Sequence, residues 1–223
     1  VQTRPIGIGL MGLADALILM GLPYDSDEGI EFAGNVAKYM TREVIKASAE
    51  LAREKGVFPA YEDNKDAVLN VASRFFEGLP VDIYDDKDFS FVEKWGLRNS
   101  QWTTIAPTGS IAISADCSQG MEPLFALCYG KRISDSDEVW QFINPAFERL
   151  YKNKHWYPQA IQQIAANHGS CHGCESIPKG VQEIFRVAHD IDWSDRIRMQ
   201  AALQNGISNG ISSTINLPAG ATP

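Results

Sequence analysis

Residues 98–129, RNSQWTTIAPTGSIAISADCSQGMEPLFALCY, constrain the fold of this chain more than any other stretch. Thr103, Thr104 and Ile105 favour an extended backbone, and a Pro-Thr-Gly-Ser turn follows shortly after them. Ser110 can cap a helix that begins after the turn. The sequence therefore predicts a strand that leads into a helix through a glycine turn.

This turn has the properties of an oxyanion site. At a helix N-terminus the first backbone N–H groups have no partner inside the helix, and the helix dipole is positive there. The hydroxyl groups of Thr108 and Ser110 add two more donors. We expect the turn to bind phosphate, and the alternative is an ordinary capped turn with nothing bound.

Helical patterns alternate with short β-prone pieces along the chain, without repeats or a convincing linker, which predicts an α/β fold. Apolar periodicity, helix caps and glycines that end helices predict a set of helices along the chain. The predicted helices cover residues 6–20, the stretch from the 25–28 cap to Gly56, weaker stretches near 139–152, 158–167 and 179–189, and residues 194–205. Ser194 is the predicted cap of the last helix and Gly206 its stop. Residues 62–94 are predicted to be a polar surface excursion, and 212–217 a strand.

Composition limits the possible functions. With 223 residues and 44% hydrophobic content the chain can bury a core, and its length allows one domain or two. The net charge of −8 argues against nucleic acid or an anionic membrane as the main partner. The longest apolar candidate, residues 6–22, is broken by glycines and Asp15, and no signal-peptide pattern precedes it. We therefore expect a cytoplasmic protein.

The stretch from Gly7 to Gly12 spells GxGxxG, the pattern of a dinucleotide-binding turn. That fingerprint needs a preceding strand and an acidic residue after the next strand. Only residues 1–5 precede Ile6, Pro5 among them, and the acidic cluster at 25–28 has the pattern of a helix cap. Small residues for close packing explain these glycines better, and a dinucleotide site remains the alternative.

The four cysteines show no complete metal or redox pattern. Cys171 and Cys174 form a CxxC pair, but zinc needs two more ligands, and a redox pair is typically at a helix N-terminus of a thioredoxin-like unit. We expect this pair to lie in a surface loop without function, and we predict no metal site. Cys117 and Cys128 are expected to be small buried residues.

Two carboxylates, Asp116 and Glu122, lie closest to the predicted phosphate turn. A carboxylate that faced a phosphate would repel it, so we expect Glu122 to hold its loop by accepting backbone hydrogen bonds. None of the four histidines has a triad-like setting, and no GxSxG motif is present, which argues against a hydrolase.

Three sequence blocks occur together in a characteristic order. Residues 103–129 follow the pattern TTIAPTG(T/S)IS…CS.G(I/M)EP.FAL.Y, RPIGIGLMGLADAL stands at 4–17, and RMQAALQ followed by SSTINLP occupies 198–218. LAREKGVFP at 51–59 agrees as well. In these blocks the chain resembles the large catalytic subunit of ribonucleotide reductase, most closely the adenosylcobalamin-dependent class II.

The resemblance implies a fold and a chemistry. The fold would be a ten-stranded α/β barrel of two five-stranded parallel halves with surrounding helices, and this chain would form part of the C-terminal half as a single domain over residues 1–223. In that family a thiyl radical on a finger-loop cysteine abstracts the ribose 3′ hydrogen, and a neighbouring Glu and Asn assist loss of the 2′ hydroxyl. Two further cysteines, served by a thioredoxin-type reductant, supply the electrons.

By this resemblance the catalytic Cys, Asn and Glu lie outside the present sequence. We therefore expect an incomplete enzyme that is inactive alone, either a fragment or one piece of a split subunit. Its partners would be a ribonucleoside di- or triphosphate and the remainder of the catalytic subunit, and this chain alone would not bind the adenosylcobalamin cofactor. The resemblance assigns it the phosphate end of the substrate site: Pro107, Thr108, Gly109, Ser110 and Ile111.

The sequence departs from the class II pattern at three positions. Ser208 stands where the family usually has Asp, Ser213 where it has Lys, and Arg196 where a His is often found. A metal-radical class with a similar turn therefore remains open, as do the dinucleotide-binding oxidoreductase and a non-catalytic piece that assembles with another chain.

Overall fold

The computed structural model describes residues 2–78, 87–132, 139–217 and 220. Contacts divide the chain into two compact units. The first unit comprises Val1–Leu10, Glu31–Ala106 and Met199–Ser212, and the second comprises Met11–Ile30, Pro107–Arg198 and Ser213–Pro223. The assignment of residues 1–223 to a single domain stays a prediction.

Helices make up most of the regular structure. They are α1 (Leu13–Met20), α2 (Asp27–Lys55), α3 (Lys65–Ser73), α4 (Lys87–Trp95), α5 (Gly109–Ser114), α6 (Pro145–Tyr151), α7 (Tyr157–Ala166), α8 (Lys179–Ile184) and α9 (Trp193–Gly206), with a 3₁₀ turn at Glu62–Asn64. Two strands, β1 (Cys128–Arg132) and β2 (Val139–Ile143), pair antiparallel. In the described part of the chain, no helix is both long and apolar enough to cross a membrane.

Three extended segments lie side by side in the first unit. Ile8 forms a parallel bridge with Thr103, and Ile105 forms another with Ile211. The N–H of Thr104 donates to the Ile8 carbonyl at 3.0 Å, and the N–H of Ser212 donates to the Ile105 carbonyl at 2.8 Å. The predicted extension at 103–105 is confirmed. The predicted strand at 212–217 is wrong, because regular pairing ends at the Ile211 bridge.

Ser208 completes the polar contacts of this central segment. Its hydroxyl accepts the N–H groups of Trp102 at 3.2 Å and Thr103 at 2.8 Å, and its own N–H donates to the Thr103 hydroxyl at 3.0 Å. Buried backbone groups of this kind need partners. A neutral hydroxyl therefore satisfies the backbone at the position where the family usually has Asp.

The core of the first unit is aromatic. Phe58, Trp102 and Leu97 are fully buried, and Phe75 and Phe76 pack beside them after α3. The prediction that residues 62–94 are a polar excursion is wrong in its described part, because α3 and α4 form there and bury Val92. Residues 79–86 of that prediction lie outside the described residues.

Helix α2 is confirmed. The Ser26 hydroxyl accepts the N–H of Gly29 at 3.0 Å and caps the start, and Gly56, with φ +78°, follows the last helical residue. Such left-handed glycines commonly end helices because they have no Cβ to clash.

Two other predicted helices have different bounds. The helix expected at 6–20 starts only at Leu13, because Ile8 belongs to the parallel pairing and Gly12 is left-handed, with φ +83°. The helix expected at 139–152 is β2 followed by α6, which begins at Pro145 because the Asn144 side chain accepts the Phe147 N–H at 3.0 Å.

The last helix has a different cap from the predicted one. Asp192, not Ser194, accepts hydrogen bonds at its start, from the Ser194 N–H at 2.8 Å and the Ser194 hydroxyl at 2.6 Å. Gly206 is its final residue, where an added Cβ would lie 2.5 Å from the backbone nitrogen of Lys38.

In the second unit, strands β1 and β2 are antiparallel, with Cys128 opposite Ile143 and Tyr129 opposite Phe142. A parallel bridge joins Leu124 to Val187. The core of this unit is centred on large apolar side chains: Leu127, Phe147, Ile164 and Phe185.

Gly9 is required by a close approach of two backbone segments. A Cβ at Gly9 would lie 2.2 Å from the Thr104 carbonyl oxygen. Gly9→Ala should therefore destabilise the protein by about 1–3 kcal/mol, as overpacking typically does. Gly210→Ala is the matched control, because nothing lies within 4 Å of its added Cβ. Urea unfolding measures both variants, and equal midpoints would contradict this reading.

Candidate functional site

The Pro-Thr-Gly-Ser turn leads into α5, as the sequence predicts, but with a different cap. The helix begins at Gly109, so Ser110 lies in its first turn and is not the cap. Thr108 occupies the cap position with φ +51°, a backbone conformation that is uncommon for residues other than glycine. Its hydroxyl accepts the N–H of Gly120 at 2.8 Å, which locks the turn to the following loop.

The start of α5 is accessible. Pro107 and Ser110 are exposed, and Ile111 is 58% exposed. An added Cβ at Gly109 would meet nothing nearer than the Gln119 Oε1, at 4.0 Å. The first N–H groups of a helix have no acceptor within the helix, so those of α5 are candidate donors to a ligand. The five residues 107–111 are therefore brought together as one surface.

The loop after α5 is anchored to the start of α1. The Asp15 carboxylate accepts the Ser118 N–H at 2.6 Å, and the Gly12 N–H donates to the Ser118 carbonyl at 2.8 Å. Asp116 is exposed and has φ +52°. The sequence marks Asp15 only as a break in an apolar stretch, because nothing local indicates its bond to the distant Ser118 N–H.

A cavity of about 620 Å³ adjoins α5 within the second unit. Its walls combine three carboxylates with exposed apolar side chains: Asp15, Asp116, Glu122, Ile113, Phe125, Tyr129 and Phe142. The rings of Tyr129 and Phe142 stack with centroids 5.3 Å apart and an interplanar angle of 14°. The cavity thus offers a flat aromatic face beside acidic groups.

Glu122 accepts a backbone hydrogen bond, as predicted, and the donor lies in a segment distant from its own loop. Its Oε1 accepts the N–H of Thr214 at 2.7 Å, and its Oε2 pairs with the Nη2 of Arg196. Sequence reasoning missed Arg196 as a partner, because a single basic residue near a helix start has no distinguishing pattern. Burial raises the pKa of the neighbouring Tyr24 above its ordinary value. The effects of Arg196, which lowers this pKa, and of Glu122, which raises it, are smaller.

The CxxC prediction needs correction. Cys171 and Cys174 are buried, at 0% and 5% exposure, and belong to the core of the second unit, not to a surface loop. The Cys171 thiol donates to the Phe185 carbonyl at 3.3 Å. Burial, with smaller contributions from Asp190 and Cys174, raises the pKa of Cys171 to about 12.

The predictions on the other two cysteines are mixed. Cys128 is buried as expected, whereas Cys117 is only half-buried and lines the cavity next to α5. Among the described residues, no group of three or more histidine, cysteine or acidic side chains could hold a metal ion.

Three of the four histidines line a second cavity of about 550 Å³: His168, His172 and His189. Asp190 lies there too, and its carboxylate accepts the Ser170 hydroxyl at 2.8 Å and the Val187 N–H at 3.0 Å. This grouping was not visible in the sequence, because the loops that bring these residues together are distant along the chain.

Two of the three glycines of the GxGxxG stretch, Gly7 and Gly9, are explained by packing in the first unit. An added Cβ at Gly7 would lie 2.7 Å from the Thr104 Cγ2, and one at Gly9 would contact the Thr104 carbonyl oxygen. These glycines face another chain segment, so close packing, not a pyrophosphate, accounts for them.

Comparison with known proteins defines the family. All 223 residues match the family described as "Ribonucleotide reductase, barrel domain". The chain therefore belongs to the ribonucleotide reductase family, and its fold is of the α/β barrel type found in that domain.

Similarity to individual relatives supports this family assignment. The chain is 34% identical over 220 residues to a "Vitamin B12-dependent ribonucleoside-diphosphate reductase" of Mycobacterium tuberculosis, covering 99% of this chain and 28% of that protein. It is 36% identical over 223 residues to the protein of the same name from Thermoplasma acidophilum, covering 99% of this chain and 25% of that one. The chain thus spans about a quarter of the length of these relatives.

A solved structure shows the same fold. The "Actinobacillus ureae class Id ribonucleotide reductase alpha subunit" is similar with a TM-score of 0.70 and 22% identity. The similarity covers 96% of this chain and 34% of that one.

The four thiols should differ in reactivity. In the folded protein near pH 8, iodoacetamide should modify Cys117 first and leave Cys171 unmodified, because Cys171 is fully buried and its pKa is raised from 9.0 to about 12. The thiolate is the reactive form, so burial suppresses both access and reactivity. Peptide mass spectrometry follows the reaction, with the urea-unfolded protein as the control. Equal rates at Cys171 and Cys117 in the folded state would contradict the prediction.

Proposed function

We propose that this chain is part of the catalytic barrel of a ribonucleotide reductase that converts ribonucleoside di- or triphosphates to 2′-deoxyribonucleotides by radical chemistry. The chain forms part of the C-terminal half of a ten-stranded barrel and supplies the turn that binds the substrate phosphates. Family membership over its whole length supports the reaction. The open start of α5 is the observation that supports the phosphate site.

In this proposal, residues 107–111 bind and orient the substrate and do no bond chemistry. The free N–H groups at the start of α5 donate to phosphate oxygens, and the exposed Ser110 hydroxyl adds a donor. Gly109 leaves space for the phosphate to approach the backbone. Thr108 shapes the turn, since its hydroxyl oxygen accepts the Gly120 N–H, and the same hydroxyl can still donate its proton to the phosphate.

Local charges are compatible with an anion at this place. Glu122 is paired with Arg196, and the Asp15 carboxylate accepts the Ser118 N–H, so one of the three nearby carboxylates is neutralised by a cation and a second is stabilised by a backbone hydrogen bond. Asp116 is exposed to water, which screens its repulsion. A phosphate held by backbone donors therefore does not require a basic side chain.

The radical chemistry belongs to other parts of the enzyme. The catalytic Cys, Asn and Glu expected from the family come from the remainder of the catalytic subunit, and a thioredoxin-type reductant restores the electrons. The exposed Ile113 and Phe125, at 75% and 69%, are consistent with a surface that this remainder covers. The cytoplasmic location belongs to the same proposal.

The names of the relatives support adenosylcobalamin as the cofactor of the whole enzyme. Among the described residues, the cavity next to α5 is lined by carboxylates, amides, hydroxyls, one thiol and apolar groups, with no histidine, lysine or arginine. Such a lining offers no imidazole to the cobalt and no cation to the phosphate of the cofactor. These residues do not fit the cofactor, and we assign it no contact in this chain.

Removing one hydroxyl should test the phosphate turn. Ser110→Ala should weaken ribonucleotide binding by roughly 1.5–3 kcal/mol, the value of a hydrogen bond to a charged group. Gly109→Val should be more damaging, because its side chain would occupy the open space at the start of α5. Isothermal titration of ribonucleoside diphosphates measures both.

Ser114→Ala is the matched control, since Ser114 lies in the same helix and its hydroxyl donates to the Ser110 carbonyl, at 3.4 Å, its one hydrogen bond among the described residues. Unchanged affinity in Gly109→Val would refute the phosphate assignment. Nicotinamide dinucleotide titrated against Gly9→Val tests the dinucleotide alternative, which requires losses at Gly7, Gly9 and Gly12 instead.

The 223-residue chain alone should show no ribonucleotide reductase activity, because the radical-bearing cysteine and its partners belong to the remainder of the enzyme. Adding a chain with the missing part of the barrel, together with adenosylcobalamin and a thiol reductant, should restore turnover. Conversion of labelled ribonucleotides is the measurement. Turnover by the chain alone would overturn this division of roles.

A further inference from the structure

Arg196 is a buried cation at the centre of a small polar ring. It is 1% exposed, and its Nη2 donates both to Glu122 Oε2 and to the carbonyl oxygen of Thr214. Glu122 Oε1 accepts the Thr214 N–H at 2.7 Å. Both polar backbone groups of Thr214 are thus bound by one ion pair.

The segment 213–217 depends on this ring. It forms no helix or strand, and the hydrogen bonds found for its backbone, within the described residues, are the two at Thr214. Thr214 and Asn216 line the cavity next to α5, as does Glu122. The ring therefore fixes one wall of that cavity to the loop that carries Glu122.

Charge makes the ring sensitive to any change at Arg196. Removing one partner of a buried ion pair leaves the other uncompensated, which is far more costly than losing an exposed pair. Without a cation at position 196, Glu122 would be a third uncompensated carboxylate near the cavity, in addition to Asp15 and Asp116. Arginine also keeps its charge at every physiological pH, whereas histidine does not.

We propose that Arg196 is a positioning residue: through Glu122 it holds segment 213–217 in place and sets the wall of the cavity beside α5. This role depends on the proposed function in one respect. If the substrate phosphates bind at α5, the cavity is where the nucleoside of the same substrate would lie.

Arg196→His tests the proposal by making the wall depend on pH. Only the imidazolium can pair with Glu122, so the wall should be held at low pH and released as the pH rises through the histidine pKa, ordinarily about 6.5. Hydrogen–deuterium exchange of segment 213–217 in the intact protein, corrected for the intrinsic exchange rate, reports this release. Protection should fall about tenfold across the transition, as expected for loss of one charge-assisted hydrogen bond.

Three further variants separate positioning from general destabilisation. Arg198→His is the matched control, because Arg198 lies on the same helix, is half exposed and pairs with Asp27 and Asp195 instead. It should leave the protection of 213–217 independent of pH, as in the wild type. Arg196→Lys keeps a permanent charge and should restore most of the protection without a pH dependence.

Glu122→Gln should lower the protection at every pH even if Arg196→His does not fold, because it removes the charge that pairs with Arg196. Protection of 213–217 that is the same in wild type, Arg196→His and Glu122→Gln would overturn the proposal. No nucleotide is added, so the outcome does not depend on the proposed substrate site.

Discussion

Backbone pairing on both sides of residues 103–105 is the constraint on which the first unit depends. Parallel bridges join this segment to Ile8 on one side and to Ile211 on the other. With neighbours on both sides, the segment has no free edge and its polar groups must be satisfied locally. The Thr41 hydroxyl, 2.7 Å from the Thr103 hydroxyl, and the Ser208 hydroxyl do this, and the glycines that face Thr104 let the backbones approach closely.

The second unit is organised by polar contacts that join loops. Asp15 bonds the Ser118 N–H, Thr108 bonds the Gly120 N–H, and the Arg196–Glu122 pair binds Thr214. Each of these contacts links segments that are far apart in sequence or have no regular structure of their own. Together they shape the cavity next to α5, although none of them belongs to a helix or strand ladder.

The proposed division of labour follows from these arrangements. A turn of backbone donors suits binding and orientation, and among the described residues no group of three or more histidine, cysteine or acidic side chains could hold a metal ion. The buried thiols of the CxxC pair have pKa values raised by burial, so they suit packing more than electron transfer. The proposal therefore assigns the radical chemistry to other parts of the enzyme, and the chain spans about a quarter of the length of the relatives named above.

The sequence by itself determined the family, the long helix α2, the extended segment at 103–105 and the turn before α5. These features depend on local signals: ordered motif blocks, a hydrophobic period, a cap and a glycine turn. The backbone role of Glu122 also followed from a local argument about charge. Local chemistry is sufficient for such features because the residues that decide them are adjacent in the chain.

Only the tertiary structure decided the burial of the CxxC pair, the start of α1 at Leu13 and the partnership of Arg196 with Glu122. A cysteine pair between weak helices has the same pattern whether it is exposed or buried, and core packing around Phe147 and Phe185 resolves this. The Ile8 bridge with Thr103 outweighed a helical pattern that seemed continuous from Ile6. In each case the deciding contact joins residues distant in sequence, and no local period or motif encodes it.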